Sequence, residues 1–360
     1  MIMFQKASTV HEIQLAFHPT SLMRIDPRSV HAPEIGAVWL NSPPLTLRQL
    51  RGSIVLLDFW DFTCVNCIRT LPYVTAWHRR YRDLGLNVIG IHAPEFYFSK
   101  APEVIERGMA EFGIEYPVML DNDYAVWKLF ANRYWPTKYL IDPQGYMRYA
   151  HFGEGAYEET EEAIQELLRE QSPRVSLPPI MAPVRPMDEP GALAFCPQPS
   201  PEIYLGHRRG RLANADGFKE DDLHRYDLGA GPQADTPELA GLWNSLPDCL
   251  TVGSRDASDP SRLCLLYSAA EVNLVLCPSI SLPKGRIDVT DNGAPIPATM
   301  RGTDISVDAQ GQTYVSVDRP RLYRLINRAK FETALLEIRS VTTGLQMFAF
   351  TFGSCLEGRA

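Results

Sequence analysis

The chain has 360 residues, 45% hydrophobic and 22% charged, with a formal charge of -8. That length favours two domains with ordinary cores, and the acidic balance argues against a nucleic-acid or anionic-membrane binder, which needs a basic face. No run approaches the roughly 20 apolar residues of a membrane span, and Met1 to Arg24 lacks the apolar core of a secretory signal. On the given sequence the expected compartment is therefore the cytoplasm, with the periplasm the alternative if a leader precedes it.

Residues 1–32 are an irregular extension. From Pro33 the chain enters a first domain, expected over 33–172. Ile54 to Phe59 reads as a buried strand. Cys67 to Leu84 reads as a helix, because Ile68, Leu71, Val74, Trp77, Tyr81 and Leu84 recur at three- or four-residue steps, with Gly85 as its stop. A strand over Leu86–His92, a helix over Glu103–Phe112, a strand over Tyr116–Leu120 and a helix over Tyr124–Asn132 follow. Lys138–Asp142 and Met147–Phe152 form a hairpin, and a last helix starts near Glu158, where its carboxylates suit the helix dipole. Strands alternating with helices and ending in a hairpin mean an α/β layer with a mixed sheet.

Residues 173–201 contain nine prolines, so 173–200 is expected to be an extended linker. Beyond it, 201–360 carries short apolar alternations separated by turn residues, the pattern of an all-β sandwich or jelly roll. Leu335–Val341 and Leu345–Phe352 are expected to pair as a hairpin around Thr342-Thr343-Gly344. Trp243, Tyr204, Tyr267, Tyr314 and Tyr323 are candidate sugar-stacking faces, though aromatics at such spacing are more often core. The run His207, Arg208, Arg209 and Arg211 reads as a solvated turn. Of seven cysteines, five are scattered through the second half and read as buried free thiols. There is no second CxxC to complete a zinc site, so no metal and no cofactor are expected.

The chemistry concentrates at Cys64-Val65-Asn66-Cys67. The motif follows a buried strand and opens a helix, which distinguishes a redox pair from a zinc ligand pair. At the helix N-terminus the unpaired N–H groups and the dipole favour thiolate, so Cys64 is expected to have a lowered pKa and to attack. Cys67, a turn further in, would resolve the mixed disulfide. Asp58, on the strand before the motif, is expected to be a buried carboxyl with a raised pKa. Pro72 falls inside the helix, and Trp135-Pro136, just before a strand, is a candidate cis bond. His92 and His151 read as core or rim histidines.

Asp58-Phe59-Trp60, the CxxC, Pro72 and Trp135-Pro136-Thr137 together resemble the thioredoxin superfamily over about residues 33–170. The resemblance implies Cys64 as nucleophile, Cys67 as resolving cysteine, Asp58 as proton carrier and Pro136 as cis-proline, with Trp60, Trp135 and Pro136 near the substrate. The helix at 103–112 resembles the insertion of the TlpA-like, AhpC/TSA-related branch, where Glu95 matches a second proton carrier. Cys64 to Arg69, Asn132 to Pro136, Phe152 to Gly155, Pro201 to Gly206, Val272 to Leu276 and Arg319 to Tyr323 are similar to the thioredoxin-like and carbohydrate-binding-module-like region of DipZ-type proteins. That implies a thiol–disulfide oxidoreductase acting on protein or small-molecule disulfides, with an unidentified electron donor or acceptor. It also makes a carbohydrate the ligand to test at residues 201–360. The family's membrane-spanning electron-transfer domain has no counterpart in the sequence. The alternative activity is a thiol peroxidase, but a peroxiredoxin places threonine three residues before its cysteine, and position 61 is Asp.

Overall fold

The computed structural model describes residues 38–189, 196–229, 231–279 and 284–354. Six strands form a mixed sheet: β1 (Trp39–Leu40), β2 (Ile54–Trp60), β3 (Leu86–His92), β4 (Val118–Leu120), β5 (Thr137–Ile141) and β6 (Met147–Phe152), in the order β1-β4-β3-β2-β5-β6. β2, β3 and β4 are mutually parallel, and β5, β6 and β1 join antiparallel. β2 is buried along all seven residues, IVLLDFW, as a central strand covered on both faces must be. Its helical companions are α1 (Val65–Tyr81), α2 (Pro102–Glu111), α3 (Ala125–Leu129) and α4 (Tyr157–Gln171). The expected elements of this layer are all present. α1 begins two residues earlier than its apolar periodicity indicates and tightens into a 3-10 turn over Arg82–Leu84 before Gly85, at φ 111°.

Asp58 on β2 faces Gly90 across one register position and Lys138 across the other. Gly90 allows a close approach: a Cβ there would lie 2.9 Å from Trp60 Nε1 and 3.1 Å from the Tyr116 ring. Gly90→Ala is expected to overpack this core and to cost about 1–3 kcal/mol, read as a lower midpoint in urea denaturation.

After the linker, eleven strands form one hydrogen-bonded sheet whose pairings are all antiparallel, in line with the all-β expectation. It is built on two long strands, β11 (Ser261–Cys277) and β16 (Arg321–Ser340), which pair along most of their length. Shorter strands include β7 (Ile203–Tyr204), β9 (Glu238–Ser245), β10 (Leu250–Val252), β12 (Gly285–Asp291) and β17 (Gln346–Gly353). The expected 335–341/345–352 hairpin does not form. β11 lies between β16 and β17, pairing with both. The two segments are close in sequence, but each pairs along a different edge of β11. Three of the five candidate sugar-stacking aromatics, Trp243, Tyr267 and Tyr323, are fully buried in this core and offer no face to a ligand. Tyr204 lies under Arg209 at 3.7 Å and Tyr314 under Arg286 at 4.1 Å from ring centroid to guanidinium carbon.

The chain divides into two compact units. One comprises residues up to Asp61, Arg69–Ala93 and Glu111–Ala182; the other comprises Phe62–Ile68, Pro94–Ala110 and the chain from Pro183. Two segments expected inside the 33–172 domain thus belong to the second unit, including the one that carries both cysteines. Aromatic contacts account for this grouping. Phe348 on β17 packs against Phe96 and Phe98 at 5.1 and 4.8 Å, and Tyr97 donates a hydrogen bond to Gln346 at 2.6 Å.

Cys196 is disulfide-bonded, against the expectation of free thiols, while Cys249, Cys264 and Cys277 are free. Cys355 lies outside the described residues, as do the 1–32 extension and linker residues 190–195. Among the described residues no helix is long and apolar enough to cross a membrane.

Candidate redox site

Cys64 occupies the position before the first residue of α1, where four backbone N–H groups lack helical acceptors. Its carbonyl accepts from Ile68 N–H at 2.9 Å, closing the first turn. Its sulfur accepts from Cys67 N–H at 3.2 Å. Cys64 is thus an N-cap whose capping atom is the reactive sulfur, and a negative charge there meets the positive end of the helix. Cys67 is 1% exposed and Cys64 half-buried. Both are free thiols, with their sulfurs 2.6 Å apart.

The expected lowering of the Cys64 pKa is not what the surroundings produce. Burial pushes the thiol up; the hydrogen bonds with Cys67 oppose this, and the charges of Glu95 and Glu202 add to it. The helix terminus was legible in the sequence. Glu95 was named there through family resemblance, but Glu202, far away along the chain, was not.

Glu95 is nearly buried, its side chain 5% exposed. Its Oε1 accepts from the Tyr204 hydroxyl at 2.9 Å and from the Arg209 guanidinium at 3.4 Å. The same hydroxyl lies 2.7 Å from Glu202. Tyr204, Glu202 and Arg209 were missed as site residues. The motif that carries the first two was visible only as a resemblance, and Arg209 sits in a basic run that reads as a solvated turn.

In the other unit, Asp58 is fully buried, and among the described residues neither of its carboxylate oxygens meets a hydrogen-bond donor. Burial raises its pKa to about 6, with Lys138 opposing. Lys138 is itself fully buried, its ammonium 5.7 Å from the centre of the Tyr157 ring. Next in register on β6 stands His151, pushed down to about 4 by burial and by Lys138. Trp60, expected near the substrate, is fully buried edge-on to His92 and presents no surface to one. Asp61 lies 3.6 Å from His92, both fully buried. The Trp135–Pro136 peptide is cis, as its position before a strand indicated. Trp135 packs at a tilt against Trp127, with ring centroids 4.3 Å apart, and donates from Nε1 to the Ala93 carbonyl at 3.1 Å. Among the described residues no group of three or more His, Cys, Asp or Glu is placed to hold a metal ion.

A model of the AhpC/TSA family matches residues 30–150, and one of a thioredoxin-like C-terminal domain matches residues 200–353. The thiol-disulfide oxidoreductase YkuV of Bacillus subtilis is 32% identical over 133 residues, which are 37% of this chain and 88% of YkuV. The chain belongs to the thioredoxin superfamily. Within that superfamily it is similar to protein DipZ of Mycobacterium bovis, at 34% identity over 329 residues, 89% of this chain and 43% of DipZ. The chain therefore spans less than half the length of this mycobacterial relative. Among solved structures, a thioredoxin-like protein in its oxidised form is 28% identical, covering 43% of this chain and 99% of its own, with a TM-score of 0.36.

Proposed function

We propose that the protein is a dithiol–disulfide oxidoreductase in which Cys64 attacks and Cys67 resolves. The observation that carries this is the placement of Cys64 as the N-cap of α1 with its sulfur 2.6 Å from that of buried Cys67. The Cys64 thiolate attacks one sulfur of a substrate disulfide and expels the other as thiolate. The Cys67 thiolate then attacks Cys64 Sγ in the mixed disulfide. The substrate leaves as a dithiol, and the enzyme pair is oxidised by two electrons. On family resemblance alone, Asp58 and Glu95 are the carboxyls assigned to pass on the thiol protons, Glu95 as a carboxylate that accepts and releases a proton without resting protonated. Trp135 and Pro136 are the residues assigned, on family resemblance, to meet the substrate.

The raised Cys64 pKa favours the reductase direction. A pair whose thiolate is poorly stabilised gains less from being reduced, and so gives up electrons more readily than a pair with an acidic cysteine. The substrates are protein disulfides, by analogy with the oxidoreductase relatives. The disulfide at Cys196 supports an oxidising compartment, in place of the cytoplasm expected from sequence.

The test is insulin reduction with dithiothreitol as electron source, paired with equilibration in glutathione buffers. Turbidity from reduced insulin and one reversible disulfide, mapped by peptide mass to Cys64 and Cys67, are expected. A protein that turns over hydrogen peroxide rapidly and leaves insulin untouched would be a peroxidase instead.

A further inference from the structure

The segment from Pro94 and the chain after the proline-rich linker meet at Glu95. The Tyr204 hydroxyl and the Arg209 guanidinium both bond the same oxygen of this nearly buried carboxylate. Arg209 is itself held in place, with its guanidinium carbon 3.7 Å from the centre of the Tyr204 ring and 5.5 Å from that of Phe96. β7 fixes Tyr204 by pairing with β17, Tyr204 opposite Ala349. A carboxylate out of water without such donors would take up a proton. The Arg209 cation, with the Tyr204 hydroxyl whose one proton is shared between Glu95 and Glu202, favours the ionised form.

We propose that Tyr204 and Arg209 are positioning residues of the redox site, which hold Glu95 as an anion beside Cys64 and thereby set how readily Cys64 ionises. The proposal rests on Cys64 being the nucleophile and deepens that assignment. It gives the chain beyond the linker a part in the chemistry that requires no ligand of its own. Among the described residues, the charged and titratable groups that act on Glu95 include Tyr204, Arg209 and, through the shared hydroxyl, Glu202. Those acting on Cys64 are Cys67, Glu95 and Glu202.

The prediction runs against simple charge counting. Removing a cation ordinarily makes a nearby thiol harder to ionise. Here, loss of Arg209 or of the Tyr204 hydroxyl lets Glu95 become neutral in mild acid, which removes a negative charge from beside Cys64. The experiment uses the full chain, reduced, with the rate of Cys64 carbamidomethylation by iodoacetamide followed by peptide mass from mildly acidic to alkaline pH. Tyr204→Phe and Arg209→Leu are expected to raise the acid-side rate severalfold while leaving the alkaline rate close to wild type. Glu95→Gln is expected to raise the rate at both ends. In the Glu95→Gln background, Tyr204→Phe and Arg209→Leu are expected to add only the smaller effect that runs through Glu202.

An unchanged or lowered acid-side rate in both variants overturns the proposal, as does an equal effect with and without Glu95. Tyr204→Phe keeps the ring under Arg209, so at least one variant retains the local packing. Alkylation needs no turnover. Failure of insulin reduction alone therefore strikes the proposed activity and leaves the assignment of Tyr204 and Arg209 standing or falling on its own data.

Discussion

Cys64→Ser is expected to abolish disulfide reduction, with a loss of at least about three orders of magnitude because a hydroxyl cannot form the mixed disulfide. Cys67→Ser is expected to behave differently. Cys64 still attacks, but the sulfur that resolves the mixed disulfide has been removed. The protein should accumulate as a stable covalent adduct with its substrate, visible as a dithiothreitol-sensitive band on a non-reducing gel. The asymmetry follows from exposure: Cys64 is half-buried at the helix start and Cys67 is 1% exposed within the first turn. Adducts on both single variants in equal amount would mean that the two sulfurs are interchangeable and that the assignment of roles is wrong.

Asp58→Asn is expected to make the protein more stable near neutral pH. Asp58 is fully buried, and its carboxyl titrates at about 6 instead of 3.8. The folded chain therefore binds this proton more tightly than the unfolded chain, so stability is highest below the unfolded value and falls as pH rises between the two. Above the folded value the full cost persists: a shift of this size is worth about 3 kcal/mol at about 1.4 kcal/mol per unit. Asparagine stays neutral throughout. Urea denaturation of the variant should show a gain approaching 3 kcal/mol at about pH 8, roughly half of that near pH 5, and none below about pH 4. The same substitution is expected to slow turnover, since it removes a carboxyl that titrates near neutrality. A variant no more stable than wild type at about pH 8 would mean that Asp58 is better solvated or better paired than its surroundings indicate.

The α/β layer was largely legible in the sequence because its signals are local. The run Ile54 to Phe59, the apolar steps from Ile68 to Tyr81 and the stop at Gly85 each specify an element within a few residues. The cysteine pair, Asp58 and the cis peptide at Pro136 were legible for the same reason. What failed depends on partners distant in the chain. Leu335–Val341 and Leu345–Phe352 look like a hairpin from their spacing, yet each pairs with β11. Trp243, Tyr267 and Tyr323 have the composition of a binding face and the positions of a core. Lys138, the counter-charge to Asp58, sits on a strand whose sequence gives no hint that its ammonium is fully buried. The direction of the Cys64 shift differs from expectation because a helix terminus can be read from a motif, whereas desolvation and the approach of Glu202 cannot.

Tyr204 lies on a strand of two residues, and that strand is held by β17, at the other end of the described chain. Pairings between such distant segments form late, because the intervening loop must close first. During synthesis the cysteines, Glu95 and Tyr204 are all made before the strand that keeps Tyr204 in place. The nascent chain thus passes through an interval in which its redox motif is complete but its electrostatic setting is not. On the proposal above, it is the formation of β17 that brings the pair to its final reactivity.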